Sequence, residues 1–336
     1  MNRIFLRRSI GPDDTGRAVD LLALHSGLSK MQIKDAMAKG ALWLHKKGKK
    51  TRLRRATTLL QSGDAVELFY DAELLSRVPP QASLIDDRWH YSVWHKPAGL
   101  LTQGTKYGDH CSLLRQAERF FTPPRRALPV HRLDREASGL VLIAHTGKAA
   151  AGLSELMRKR QVTKVYRIEV LGNLAEKAAT GIIDFPLDGK TALTEYEVLH
   201  YNPAAGISIV EAVIKTGRLH QIRRHFNMLG FPVMGDPRYG RRNKNAEGIQ
   251  LEAVALRFHC PFKKREVAFQ IATDTHIGDT RRLLGGESSS LLLPLQLYSK
   301  APMSGRKDCG TVTPLISSDK SISTPLSIQG EDIESE

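Results

Sequence analysis

An acid flanked by bases stands just ahead of a short apolar run. His131-Arg132-Leu133-Asp134-Arg135 leads within a few residues into Gly139-Leu-Val-Leu-Ile-Ala144. That run is continuous and brief, which predicts a buried central strand over 139–144. A carboxylate held between the guanidinium groups of Arg132 and Arg135 at the mouth of such a strand is ionised and accepts hydrogen bonds only. It can act as a nucleophile or as a general base, and its basic surroundings suit an anionic substrate. A loop salt bridge would use the same residues, so this segment alone does not decide.

Other segments bear on that choice. The stretch His131-Arg-Leu-Asp-Arg-Glu-Ala-Ser-Gly139 resembles the signature motif of the RluA-type pseudouridine synthases, with Ala137 where the family usually has Thr. Upstream, Val93-Trp-His-Lys-Pro-Ala-Gly-Leu100 resembles the family's strand running into Lys-Pro-x-Gly, where Pro97 and Gly99 end the strand in a tight turn. Downstream come Lys164-Val165-Tyr166, then Thr216-Gly-Arg-Leu-His-Gln-Ile-Arg-Arg-His225, then Gly230 to Tyr239, all in family order. The block from Leu251 to Ile271 resembles the family's terminal strands, with Glu252 where the family usually has His. The resemblance spans about residues 86 to 275 and rests on the order of the blocks rather than on any one of them.

The resemblance implies isomerisation of a uridine within RNA: the N1–C1′ bond breaks, the uracil turns, and C5 rejoins the sugar. Nothing is added or lost, so no cofactor and no metal are expected. Asp134 takes the place of the catalytic carboxylate, which can assist charge at C1′ much as carboxylates do in glycoside hydrolysis. The sequence does not say whether it attacks the sugar, attacks the base or removes a sugar proton. Arg223 takes the place of the arginine that pairs with that carboxylate, a role its planar donors suit as a two-pronged partner; a phosphate contact is the alternative. Tyr166 takes the place of the tyrosine that stacks on the flipped base, against the simpler reading of a core strand residue. Arg132 would fill the gap left by the flipped nucleotide, and His131 would shape the loop. Lys96, Arg218, His220, Gln221 and Arg224 are site-lining or RNA-contacting candidates, with structural roles equally open.

The fold class is α+β. The resemblance implies a mixed, mostly antiparallel sheet with flanking helices and a basic cleft across its face. The residue pattern by itself supports strands at 139–144, 164–170, 207–214 and 265–271.

Residues 1–75 read as a separate unit. Arg17 to Leu28 places Val19, Leu22 and Ala23 on one helical face. Ser29-x-x-Gln32 is a capping-box pattern opening a second helix with Ile33, Ala36 and Met37 at helical spacing, stopped by Gly40. A strand Ala41 to His45, the basic turn Lys46 to Lys50, the turn Ser62-Gly-Asp64 and a strand Val66 to Phe69 follow. Two short helices and small strands resemble an S4-type RNA-binding module, with Lys30, Lys34, Lys47 and Arg52 as phosphate contacts. Ser76 to Ser83, with Pro79-Pro80, opens a linker over 76–85, ahead of a catalytic domain over 86–284.

Composition agrees with an RNA partner. The 336 residues carry a formal net charge of +15. The segment from Gly285 onward has 4 Lys or Arg and 7 Asp or Glu, a net of −3, which leaves +18 on the rest. A body so basic favours polyanions. The resemblance implies ribosomal or transfer RNA as the partner, and the S4-like module favours ribosomal RNA. The Ser-, Thr- and Leu-rich tail over 285–336 lacks periodicity and reads as disordered. Cys111, Cys260 and Cys309 are scattered, without disulfide or zinc spacing. With no secretory h-region, since Arg7 and Arg8 interrupt Ile4 to Leu6, and no membrane-length apolar run, the expectation is a cytoplasmic protein, and nothing in the sequence demands more than a monomer. Two other classes stay in view: a non-catalytic RNA-binding or ribosome-assembly factor, and a nucleotide hydrolase using Glu136 as a second carboxylate.

Overall fold

The computed structural model describes residues 3–241 and 243–271. The N-terminal elements are β1 (Arg3–Ser9), β2 (Gly16–Arg17), α1 (Ala18–Ser26), α2 (Lys30–Ala38), β3 (Leu42–Lys46), β4 (Lys49–Arg52), β5 (Leu59–Leu60) and β6 (Ala65–Asp71). Four of them form an antiparallel sheet in the order β1-β6-β3-β4. Strand β1 was not among the expected elements. It alternates, with Ile4 and Leu6 packing on the core beneath the sheet while Arg3, Phe5 and Arg7 face outward. Helix α2 starts as its sequence requires: the Ser29 Oγ accepts the Gln32 N–H at 3.2 Å and the Gln32 Oε1 accepts the Ser29 N–H at 2.9 Å. Such a box is worth about 1 kcal/mol. The basic turn is a hairpin tip, in which Lys47 and Gly48 both take left-handed conformations, the two-residue type that matches strand twist.

The remaining elements are α3 (Ala72–Ser76), β7 (Ser83–Asp87), β8 (Tyr91–Lys96), α4 (Leu113–Phe120), β9 (Leu128–Pro129), β10 (Ser138–Ala144), α5 (Gly147–Arg158), β11 (Val162–Leu171), α6 (Leu174–Lys177), β12 (Thr180–Ile183), β13 (Thr194–Asn202), β14 (Ile207–Ile214), α7 (Gln221–Met228), β15 (Leu251–Cys260) and β16 (Arg265–Gln270). They build a mixed ten-stranded sheet along the path β12-β13-β14-β11-β15-β10-β8-β7, with β16 on β15 and β9 on β10. The β10–β15 pair is parallel and the other pairs are antiparallel.

The apolar run over 139–144 is explained by burial on both faces. Val141 and Ile143 enter the core shared with α4 and α7, while Leu140, Leu142 and Ala144 enter the core shared with α5 and β16. Gly139 makes the parallel pairing feasible. It sits at φ 112° against Ala253, and a Cβ there would run into the Ala253 backbone. The tail over 285–336, including the apolar segment Leu291 to Leu295, lies outside the described residues.

Candidate active site

The Asp134 loop is held from both sides by backbone contacts. Strand β8 ends at Lys96, and after the Pro97-Gly99 turn the Gly99 N–H donates to the Arg135 carbonyl at 2.7 Å. On the other side the Thr102 Oγ donates to the Leu133 carbonyl at 2.8 Å and accepts the Leu133 N–H at 3.1 Å. The His131 Nε2 accepts the Leu142 N–H at 2.9 Å, tying the loop to β10. Burial pulls the His131 imidazole down to about 3, with Lys164 adding in the same direction, so it is a neutral acceptor that shapes the loop. Asp134 is thereby presented at a cleft of about 160 Å³ lined by residues 101–103 and 132–136 and by His220.

Helix α7 brings up the partner cation. Ile222 and Phe226 anchor it in the core, and one residue along, Arg223 is buried with its guanidinium aimed at two carboxylates. The two-pronged pair forms with Asp236, at 2.6 Å from Nε and 2.8 Å from Nη2. Asp134 receives a single bond from Nη1 at 3.2 Å. The expected pairing of Arg223 with Asp134 is present, and the expected two-pronged geometry belongs to Asp236 instead. Burial pulls the Asp236 carboxyl up, but Arg223 and the N–H groups of Arg238 and Tyr239 hold it below its ordinary value. The Glu136 carboxylate stands 3.9 Å from the same Arg223.

His220 takes a left-handed conformation at the start of α7, with Nε2 3.8 Å from Asp134 and Nδ1 3.1 Å from the Tyr239 hydroxyl. Burial lowers its pKa, against the pull of Asp134. Tyr166, on β11, is buried on the core side, and burial raises its phenol, with the Asp134 charge adding to the effect.

The other candidates divide. Arg132 is exposed at the cleft. Arg218 is half-buried and donates to the Thr191 carbonyl; Arg224 makes a two-pronged pair with Asp188 at 2.8 and 2.9 Å. For Lys96 the structure favours the structural alternative: it is fully buried, and its ammonium donates to the carbonyls of Leu100, Pro97 and Arg135 at 2.8, 3.0 and 3.3 Å, bracing the loop. Gln221 takes the structural alternative likewise, because its amide is spent on Thr216, Arg218, Leu193 and Thr194 within the chain.

In the N-terminal part, Lys30, Lys34 and Lys47 are exposed, Lys30 pairing with Asp20. Arg52 is corrected, since it donates to the carbonyls of Gly40 and Thr105 and pairs with Asp109. With Arg54, also on Asp109, and the Trp43 Nε1 donating to the Lys106 carbonyl at 3.0 Å, it fastens the loop 104–109. Sequence reasoning missed Asp109, which no motif marks. It also missed Asp236 and Tyr239, although both lie in the block Gly230 to Tyr239.

The profile of the RNA pseudouridylate synthase family matches residues 90–228. The chain is 32% identical over 205 residues to the dual-specificity RNA pseudouridine synthase RluA of Escherichia coli, covering 55% of this chain and 90% of that one. It is 30% identical over 274 residues to ribosomal large subunit pseudouridine synthase D of Xanthomonas campestris, covering 74% and 80%. The human RNA pseudouridylate synthase domain containing 4 shares the fold, with a TM-score of 0.50 at 22% identity over 60% of this chain and 92% of that chain. The chain therefore belongs to the RNA pseudouridylate synthase family, isomerases acting on RNA.

Proposed function

We propose that the chain converts specific uridines of structured ribosomal RNA to pseudouridine, with Asp134 as the catalytic carboxylate. The observation that carries this reading is the single 3.2 Å bond from buried Arg223 to Asp134 at the mouth of a cleft rimmed by exposed arginines. Arg223, itself locked on Asp236, orients the carboxylate while leaving its other oxygen open to the substrate. The target nucleotide leaves its stack and enters the cleft. Arg132 fills the gap behind it, and Tyr166 sets the inner wall against the uracil. Asp134 assists as the N1–C1′ bond breaks; the uracil turns, C5 bonds to C1′, C5 gives up its proton and the freed N1 ends protonated, so the product is an isomer of the substrate.

Ribosomal RNA is favoured by the Xanthomonas relative, whose name specifies the ribosomal large subunit. Residues 1–75 supply an S4-like module joined by a linker over 76–85 to the catalytic domain over 86–284. Exposed Lys30, Lys34 and Lys47 of that module, with Arg218 and Arg224 near the cleft, contact phosphates. The scattered cysteines fit a reducing cytoplasm.

The test is a pseudouridine map of ribosomal and transfer RNA from cells lacking the protein, with wild type or Asp134→Asn restored. Loss of one or a few ribosomal positions, regained with wild type alone, is the expected result. Lost positions confined to transfer RNA would overturn the substrate. An unchanged map would overturn the enzyme assignment in favour of a binding factor.

A further inference from the structure

Far along β8 from the Asp134 loop, the β7–β8 hairpin carries an aromatic and arginine surface that the reaction does not use. Trp89 sits at its tip, 68% exposed, in a left-handed conformation with φ 62°. A bulky residue rarely adopts that conformation, and here the Trp89 N–H donates to the Asp87 Oδ1 at 2.9 Å, which fixes the turn. The Arg125 guanidinium lies between two rings, 4.6 Å from Trp89 and 4.0 Å from Phe121. Asp87 holds it there at 2.8 and 3.0 Å. Phe120, 56% exposed, continues the surface 5.3 Å from Phe121.

The charge of this surface selects the partner. Its carboxylates are already taken, Asp87 by Arg125 and Asp86 by Arg88. Exposed Arg119 and Arg126, beside Phe120 and Arg125 in sequence, have no carboxylate partner among the described residues. An exposed ring stiffened from below by a cation, with unpaired arginines next in sequence to Phe120 and Arg125, fits an unpaired base and its phosphates. β8 spans roughly 17 Å from this hairpin to Lys96 under the Asp134 loop, roughly five stacked nucleotides at about 3.4 Å each.

We infer that the outer face of Trp89, with Arg119 and Arg126, docks an unpaired base of the substrate RNA a few nucleotides from the target uridine. The inference rests on the reading of RNA as substrate and adds a place where that RNA is gripped. Because Trp89 is exposed, its replacement should leave folding intact.

The experiment measures binding of a single-stranded oligouridine of about 12 nucleotides to the full chain at fixed salt, together with KM and kcat on the mapped substrate. Trp89→Ala should weaken oligonucleotide affinity and raise KM by about tenfold, with kcat unchanged, and Trp89→Phe should recover most of the loss. Arg119→Ala with Arg126→Ala should reduce the salt dependence of binding by about one to two in log–log slope. Unchanged affinity in Trp89→Ala overturns the inference. So does a wild type that pairs with a second copy through this face, seen as a dimer that Trp89→Ala abolishes while RNA affinity stays the same. Oligonucleotide binding is read without turnover, so its loss or retention stands apart from failure of the synthase reading.

Discussion

Removing Asp236 should damage both stability and turnover, and the sizes follow from how Arg223 is held. The Arg223 side chain is 1% exposed and that of Asp236 is 0% exposed, with two bonds between them at 2.6 and 2.8 Å. Asp236→Ala leaves a buried guanidinium with one bond to Asp134 at 3.2 Å and Glu136 at 3.9 Å. Breaking a buried pair from one side costs about 3–5 kcal/mol, which lowers the melting temperature by roughly 10 °C. Arg223 is then free to close on Asp134 with two prongs, displacing the carboxylate. A shift of about 1 Å costs about 100-fold in rate, so kcat should fall by that order with a smaller change in KM. The assay is urea and thermal unfolding of the full chain, with turnover on the mapped RNA. The double variant Asp236→Ala with Arg223→Met removes both charges and should be more stable than Asp236→Ala alone, because a lone buried charge is what costs most. A single variant within about 0.5 kcal/mol of wild type, or a double variant less stable than the single, would refute the reasoning.

Other outcomes follow from buried groups away from that pair. Burial pulls the Lys96 ammonium from 10.5 down to about 7, against the opposing pull of Asp134 and Glu136. Between those values the unfolded chain holds a proton that the folded chain has released, so stability should rise with pH across about 7 to 10.5. Urea unfolding at several pH values should show that rise in wild type and its loss in Lys96→Met. Burial raises the Glu169 carboxyl from 4.5 to about 7, and its Oε1 has no hydrogen-bond partner among the described residues. Here the folded chain keeps the proton that the unfolded chain loses, so this contribution fades as pH climbs from 4.5 to 7; Glu169→Gln should remove that slope in the same measurement. Asp109→Ala frees Arg52 and Arg54 and should cost about 1–3 kcal/mol, with faster amide hydrogen exchange over residues 101–112 as the check.

Local pattern revealed what local physics decides. The strand over 207–214 appears at its expected bounds, and those over 139–144, 164–170 and 265–271 appear within a few residues, because branched apolar runs buried on a sheet leave a dense signal. The Ser29 box and the Lys47-Gly48 turn were equally visible, each being complete within a handful of residues. Strand β1 was not, because half its face is cationic and its partner begins the pairing at Asp71, 68 residues away from Arg3. The motif marked Lys96 but not its burial, which needs carbonyls from two loops converging on one ammonium. Glu252, where the sequence departs from the family pattern, lies buried between the His95 Nε2 at 3.0 Å and the Ser138 hydroxyl at 3.5 Å. An acceptor there is served by two strands that sequence distance keeps apart.

Under the proposed chemistry, the division of labour around Arg223 also bears on why one carboxylate would react while its neighbour is structural. Both lie within reach of the same guanidinium, yet Asp236 takes two of its donors and two backbone N–H groups as well. Both oxygens of Asp236 are therefore engaged, Oδ1 by three donors and Oδ2 by one, and it is fully enclosed. Asp134 receives one bond from Arg223 and keeps a side-chain exposure of 17% at the cleft. Its backbone is set by Leu133 and Arg135, held by Thr102 and Gly99, and Arg223 takes only one of its oxygens. A group located through its backbone can meet a substrate with its lone pairs still available and with little reorganisation, which is the condition for electrostatic preorganisation at a reacting centre. The same logic makes Asp236 a positioning residue: it fixes the cation so that the cation can fix Asp134 without closing on it.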